Sequence, residues 1–110
     1  MNRIEEITEY ISELFQVNTS FREKGKRYPR KMYPKKVLMH ILYHKEEIKL
    51  TEVARMLGYS DHGTIIHHLR SFDALYDTND KFRRLSNLAF EKHYELVKNE
   101  NNNKALQLSS

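Results

Sequence analysis

The sequence has no cysteine and no tryptophan, and its 110 residues include only three glycines and two prolines. Without cysteine, a disulfide framework, a cysteine-ligated zinc site and thiol catalysis are excluded, which is typical of proteins in a reducing compartment. Long apolar runs are also lacking, and the first ten residues, MNRIEEITEY, are acidic where a signal peptide would be basic. We therefore expect a cytoplasmic protein without a membrane segment, whose length suits one domain with tails.

The motifs of common enzymes are lacking as well. There is no phosphate-binding G-x-x-x-x-G-K-[ST] sequence and no evident pair of nucleophile and base. Histidines stand at metal-ligand spacing at His40 and His44, and again at 62, 67 and 68. However, no carboxylate is placed to complete either set, and no glutamate occupies the zinc-protease position between the first two. We expect neither an enzyme nor a bound cofactor or metal.

Positive charge is concentrated in one segment. The net charge is +4, but residues 1–20 carry one base and four acids, and residues 37–110 carry ten of each. Residues 21–36, FREKGKRYPRKMYPKK, carry one acid and eight bases: Arg22, Lys24, Lys26, Arg27, Arg30, Lys31, Lys35 and Lys36. Gly25, Pro29 and Pro34 predict that this run is a loop. Its bases are either a solvated linker or a track for phosphate groups.

Apolar residues recur at spacings of three and four almost throughout, which predicts an all-α domain. The predicted helices cover about 3–16, 34–45, 50–57, 61–75 and 79–98. Pro34 suits a first helical turn, Gly58 suits a helix end, and Ser60 or Asp61 suits an N-cap. The asparagine-rich end, residues 99–110, is predicted to be a disordered tail.

The N-terminal helix, within residues 1–20, is predicted to be amphipathic. Ile4, Ile7, Ile11, Leu14 and Phe15 share one side, and four glutamates lie on the others. We expect this apolar side to pack on the domain, on a second copy in a homodimer, or on a protein partner.

A short helix, a tight turn with Gly58 and a second helix together form a helix-turn-helix signature. In the DNA-binding version of this motif, the first turn of the second helix enters the major groove and contacts base edges. That turn is small or hydrogen-bonding in this sequence, as the task requires: Ser60, Asp61, His62, Gly63 and Thr64. Ordinary helical hairpins share the pattern, and Asp61 also suits a purely structural N-cap.

These residues resemble a known family, the C-terminal DNA-binding domain of the bacterial replication initiator DnaA. The family pattern is close to G-G-R-D-H-T-T-V-x-H-A-x-R-K-I, and the sequence reads GYSDHGTIIHHLRSF. The matching positions are Gly58, Asp61, His62, Thr64, His67 and Arg70. LTEVARMLGY and YPKKVLMHILYH resemble the two preceding family helices, and KGKRYPRK falls at the family's basic loop, so that the similarity covers about residues 24–97.

The resemblance implies sequence-specific binding of double-stranded DNA. It places Asp61, His62 and Thr64 in the major groove and Arg27 in the minor groove. Ser60 and Gly63 replace an arginine and a threonine of the family, which removes a guanidinium and a hydroxyl from this surface. The full predicted DNA-binding set is Lys24, Lys26, Arg27, Arg30, Lys31, Lys35, Ser60, Asp61, His62, Gly63, Thr64, His67 and Arg70.

The biological role implied by the resemblance is replication initiation or its regulation, without the initiator's ATPase. The source could then be a phage or another mobile element. The alternatives are a transcriptional regulator and a helical protein-interaction adaptor, whose acidic first helix would dock on a partner.

Overall fold

Five α-helices follow one another along the chain in a computed structural model that describes residues 2–17 and 28–109, with side chains for 2–16 and 32–102. They are α1 (Arg3–Val17), α2 (Tyr28–His40), α3 (Leu50–Met56), α4 (His62–Thr78) and α5 (Asp80–Ser109). A π-helical turn, Ile41–Lys45, continues α2. Within the described ranges there is no strand, which confirms the predicted all-α single domain. No described helix has the length and apolar content needed to cross a membrane.

One buried aromatic side chain joins four of the helices. Phe82 of α5 is completely buried, and its ring centroid lies 6.1 Å from Phe15 of α1, 5.4 Å from Tyr33 of α2 and 5.4 Å from Phe72 of α4. Burial of one such side chain stabilises a fold by roughly 1.5–3 kcal/mol. The hydrophobic core around it consists of Ile7, Ile11, Phe15, Val37, Leu38, Met39, Ile41, Leu42, Val53, Ala54, Ile65, Phe72, Phe82, Leu85, Ala89 and Leu96.

The N-terminal helix is part of this core and not a separate unit. α1 packs against α2 and α5. Ile7 is completely buried and Ile11 is 1% exposed. Of the three expectations for the apolar side of α1, packing on the domain is the one observed. The outward side of the helix exposes Glu5, Glu9 and Glu13.

Two element boundaries correct the sequence predictions. α2 begins at Tyr28, six residues before the predicted start, so residues 28–36 of the basic run are helical and Pro34 lies inside the helix. Pro34 costs one intrahelical hydrogen bond. Positions 36–39, which begin two residues after it, are all buried, and their packing against the core offsets that loss.

α5 continues to Ser109, where the sequence predicted a disordered tail from residue 99. Two features account for the longer helix. Glu100 forms an ion pair with Arg3 of α1, which ties this part of α5 to the domain. The stretch KALQL at 104–108 also consists of good helix formers.

A single residue, Asn79, separates α4 from α5. The Asn79 side chain accepts a hydrogen bond from the Phe82 N–H at 2.9 Å, which caps α5. Arg83 donates from Nε to the carbonyl of Tyr76 at 2.8 Å and from Nη2 to that of Asp77 at 3.1 Å. These bonds satisfy the final carbonyls of α4, so α4 extends to Thr78, three residues beyond its predicted end.

Candidate nucleic-acid interface

The turn between α3 and α4 has the backbone geometry that its glycine predicted. Gly58 has a φ of +79°, a conformation that side-chain-bearing residues rarely adopt. The N–H of Gly58 donates to the carbonyl of Arg55 at 3.2 Å, and the N–H of Tyr59 donates to that of Ala54 at 2.8 Å. These two bonds form a Schellman motif, which ends α3 and turns the chain toward α4.

Asp61 is the N-cap of α4. Its backbone is extended, and its Oδ1 accepts a hydrogen bond from the Gly63 N–H at 2.9 Å. A Cβ atom added at Gly63 would lie 3.1 Å from Oδ2 of Asp61, a tight contact. The glycine therefore leaves room for the capping carboxylate, and the structural role predicted for Asp61 is confirmed.

The start of α4 presents polar groups to the solvent. Ser60, Asp61, His62 and Gly63 are exposed, and Thr64 is half-buried. Ile65 is completely buried and anchors this turn in the core. Further along α4, His67 and Arg70 are exposed. His67 follows Gly63 by four residues, and Arg70 follows His67 by three, so all three lie on one side of the helix. Six of the seven predicted residues from 60 to 70 are thus exposed at the start or along one side of α4, and Thr64 is half-buried.

Of the predicted basic residues, Lys35 is brought to this surface. It is exposed, and its Nζ lies 5.9 Å from the ring centroid of Tyr59, which belongs to the turn before α4. Lys24, Lys26 and Arg27 lie outside the described residues. Arg30 and Lys31 belong to the first part of α2, but their side chains also lie outside the description. We call the surface formed by Lys35, Tyr59 and residues 60–64, 67 and 70 the α4 face.

Sequence reasoning missed a buried pair behind the α4 face. Lys36 and His68 are each 8% exposed, and Lys36 Nζ donates to Nδ1 of His68 at 2.8 Å. Burial lowers the pKa of both side chains, and the neighbouring cation further lowers that of His68. The two residues lie 32 positions apart in the sequence, so no local pattern indicates this pair.

The histidines at metal-ligand spacing, His40 and His44, lie among aromatic rings and not among other potential metal ligands of the described chain. The rings of His40 and His44 lie 4.6 Å apart, and His40 stacks on Phe72 at 4.2 Å and on Phe90 at 5.2 Å. This aromatic environment lowers the pKa of His40 to about 4, chiefly through burial. Within the part of the chain that the structure describes, no group of three or more potential ligands could hold a metal ion.

Comparison with known proteins finds the chromosomal replication initiator protein DnaA repeatedly. The chain is 27% identical to DnaA of Ehrlichia ruminantium (strain Gardel) over 85 residues, which are 77% of this chain and 18% of that protein. It is 25% identical to DnaA of Wolbachia pipientis wMel over 79 residues, 72% of this chain and 17% of that protein. For DnaA of Lachnoclostridium phytofermentans the identity is 31% over 61 residues, 56% of this chain and 14% of that protein.

The chain resembles DnaA. The resemblance found in the residues around Asp61 and His62 is thereby confirmed over more than half of the chain. The chain spans less than a fifth of the length of these DnaA relatives, a stretch consistent with the initiator's C-terminal domain. No family model matches the chain. No solved structure matches it either.

Proposed function

We propose that the chain binds double-stranded DNA in a sequence-specific manner through the α4 face. α3, its turn and α4 act as a helix-turn-helix, and the first turn of α4 enters the major groove. The observation that carries the proposal is the polar turn from Ser60 to Thr64, which is exposed at 60–63 and half-buried at Thr64, with the cation of Lys35 beside the preceding Tyr59. That turn belongs to the segment that resembles the DNA-binding domain of DnaA.

The residues of the α4 face divide into two roles. His62 and Thr64 carry hydrogen-bonding groups, and the methyl group of Thr64 suits contact with a thymine methyl, so these two residues read base edges. Lys35 and Arg70 are positively charged and lie outside the first turn of α4, so we assign them contacts with phosphate groups and not with bases. Asp61 mainly caps the helix, since its carboxylate already holds the Gly63 N–H. The basic segment before α2 adds phosphate contacts, and within it Arg27 reaches into the minor groove, as the resemblance implies.

The wider role follows the resemblance. Because the relatives are chromosomal replication initiators, we propose a function in replication initiation or its regulation. The sequence contains no phosphate-binding loop of the kind that ATPases use, so this function does not involve ATP hydrolysis by the chain itself. The adaptor alternative receives less support from the structure, because α1 uses its apolar side in the domain's own core. A transcriptional regulator would use the same α4 face, and its distinction from a replication factor depends on the genomic position of the bound site.

Selection of duplexes from a random pool, followed by titrations at several salt concentrations, tests the proposal. We expect one sequence to be enriched, and we expect its affinity to fall steeply as salt rises, because phosphate contacts release counterions. Replacing Arg27 and Lys35 together with alanine should weaken binding to every duplex and reduce the salt slope by about one to two units.

Lys98→Ala is the matched control. Lys98 is exposed on α5, and its removal changes the net charge as each of the two replacements does. This variant should keep the salt slope of the wild type. A pool from which no sequence is enriched, or binding that hardly responds to salt, would contradict the proposal and favour docking through an apolar surface.

A further inference from the structure

Two pairs of side chains, each four residues apart, face one another where α2 packs against α4. Lys36 and His40 lie one turn apart on α2, and His68 and Phe72 lie one turn apart on α4. Lys36 bonds to His68 at 2.8 Å, and His40 stacks on Phe72 with ring centroids 4.2 Å apart. Because residues i and i+4 share one side of a helix, two contacts one turn apart fix both the rotation and the sliding of α2 against α4.

The first of these contacts is an expensive one to bury. Lys36 and His68 are both more than nine-tenths buried, and no described carboxylate pairs with either. The charged or titratable groups around His68 are Lys35, Lys36, His67 and the hydroxyl-bearing ring of Tyr59. Well-packed apolar residues of similar volume are often at least as stabilising as buried polar pairs. Stability alone therefore does not account for this contact.

The contact lies directly behind the α4 face. Lys35, which precedes Lys36, stands over the ring of Tyr59. The same ring lies 6.2 Å from that of His68, and His67, which precedes His68, is exposed beside it. A shift of α2 along α4 would therefore move Lys35 relative to the base-reading turn at His62.

We propose that Lys36 and His68 are positioning residues for DNA recognition, whose hydrogen bond holds Lys35 at a fixed distance from the first turn of α4. The proposal rests on the proposed function of the α4 face. A fixed distance allows phosphate contacts from α2 and base contacts from α4 to form on one duplex at the same time. When the hydrogen bond is absent, each contact can still form alone, so general affinity for DNA survives better than discrimination between sequences.

The experiment compares three variants with the wild type: His68→Gln, His68→Leu and the double variant Lys36→Met with His68→Leu. The quantity measured is the ratio of the affinities for a duplex enriched from a random pool and for a shuffled duplex of the same composition. Titrations run from pH 5.5 to pH 8 at one salt concentration. Circular dichroism checks that each variant is folded. His68→Leu leaves the buried Lys36 without a partner, which disfavours folding, so the double variant replaces that lysine with the apolar methionine.

At pH 8 we expect His68→Gln to keep the ratio, because the amide oxygen of glutamine can accept the hydrogen bond from Lys36. The double variant should be folded but should lower the ratio by about fivefold or more, the effect of weakening about one base contact. As the pH falls, the wild type should lose discrimination once His68 is protonated, because a protonated ring no longer accepts the hydrogen bond and instead repels Lys36. Burial lowers the pKa of His68, so this loss should come below the ordinary histidine pKa of 6.5. His68→Gln should lose less, because the two proteins differ only at position 68.

Ser86→Ala is the control for a general change in the core. Ser86 is completely buried on α5, and its hydroxyl has no hydrogen-bond partner in the described structure. This variant should keep the ratio and the pH profile of the wild type. A double variant with the ratio of the wild type would overturn the positioning role and leave the proposed function intact. A wild type that prefers no duplex over its shuffled counterpart would refute both.

Discussion

Replacement of Glu46 by glutamine should destabilise the fold strongly, although Glu46 lies on the surface segment between the π-helical turn and α3. Its side chain is only 7% exposed. Arg3 donates to it from Nε at 2.7 Å and from Nη2 at 2.8 Å, and His93 of α5 contacts the same carboxylate. The carboxylate therefore joins both terminal helices, α1 and α5, to the centre of the chain.

The size of the effect follows from the carboxylate's pKa. The hydrogen bonds from Arg3, and then the single one with His93, lower the pKa of Glu46 from 4.5 to about 2 against the opposing effect of burial. Since one pKa unit corresponds to about 1.4 kcal/mol, the folded state favours the charged carboxylate by about 3 kcal/mol at pH 7. Glutamine keeps one acceptor oxygen but no charge, so Glu46→Gln should lower the free energy of unfolding by roughly 2–3 kcal/mol.

The pH dependence gives the sharper test. A lowered carboxylate pKa contributes stability that is complete above pH 4.5 and is lost as the pH falls through about 2. The difference between wild type and variant should thus be constant from pH 7 to pH 5.5 and should shrink to less than half at pH 3. Urea unfolding followed by circular dichroism at these three pH values measures it.

The control is Glu52→Gln, which breaks an ion pair with Arg55 on the surface of α3. That pair is solvated, so its loss should leave the urea midpoint almost unchanged. The reasoning would be refuted if Glu46→Gln behaved like this control at pH 7. It would also be refuted if the difference between wild type and variant stayed the same at pH 3.

Two further predictions concern the α4 face and the aromatic cluster. His62→Ala and Thr64→Ala should each narrow the gap in affinity between enriched and shuffled duplexes at one fixed salt concentration, with helical content retained; equal losses for both duplexes would make this turn a backbone anchor only. His40→Phe should resist acid better than the wild type, because burial lowers the pKa of His40 from 6.5 to about 4 and the wild type loses stability as the pH falls between those values. Urea midpoints at pH 7 and pH 4.5 measure the second effect, and an equal drop in both proteins would exclude it.

Local sequence signals predicted the helices and their caps because each signal acts within a few residues. Val37, Leu38, Ile41 and Leu42 recur at the spacings of three and four that predicted helix, and all four are buried. The positive φ of Gly58 and the cap at Asp61 likewise depend on the residues next to them. The exposed polar turn of α4 could be predicted for the same reason.

Features that depend on contacts between distant residues could not be predicted in this way. The early start of α2 places Pro34 inside a helix, which local propensity disfavours and core packing at 36–39 permits. The pairing of Lys36 with His68 joins residues 32 positions apart, and it requires two helices to be aligned within one turn. A lysine at the edge of a basic run gives no sign of that alignment, and the ion pair of Arg3 with Glu100 spans almost the whole chain.

The two buried polar clusters differ in a way that separates stability from recognition. At one end of the domain, the charge of Glu46 is matched by Arg3, and the cluster holds α1, α5 and the centre of the chain together. Behind the α4 face, Lys36 and His68 have no described carboxylate to match them, and burial disfavours the charged form of each, so their hydrogen bond aligns α2 with α4 without an ion pair. Substitutions at Glu46 should therefore change unfolding before DNA discrimination, and substitutions at His68 should do the reverse. If both sites moved the two measurements together, this division of roles would be wrong.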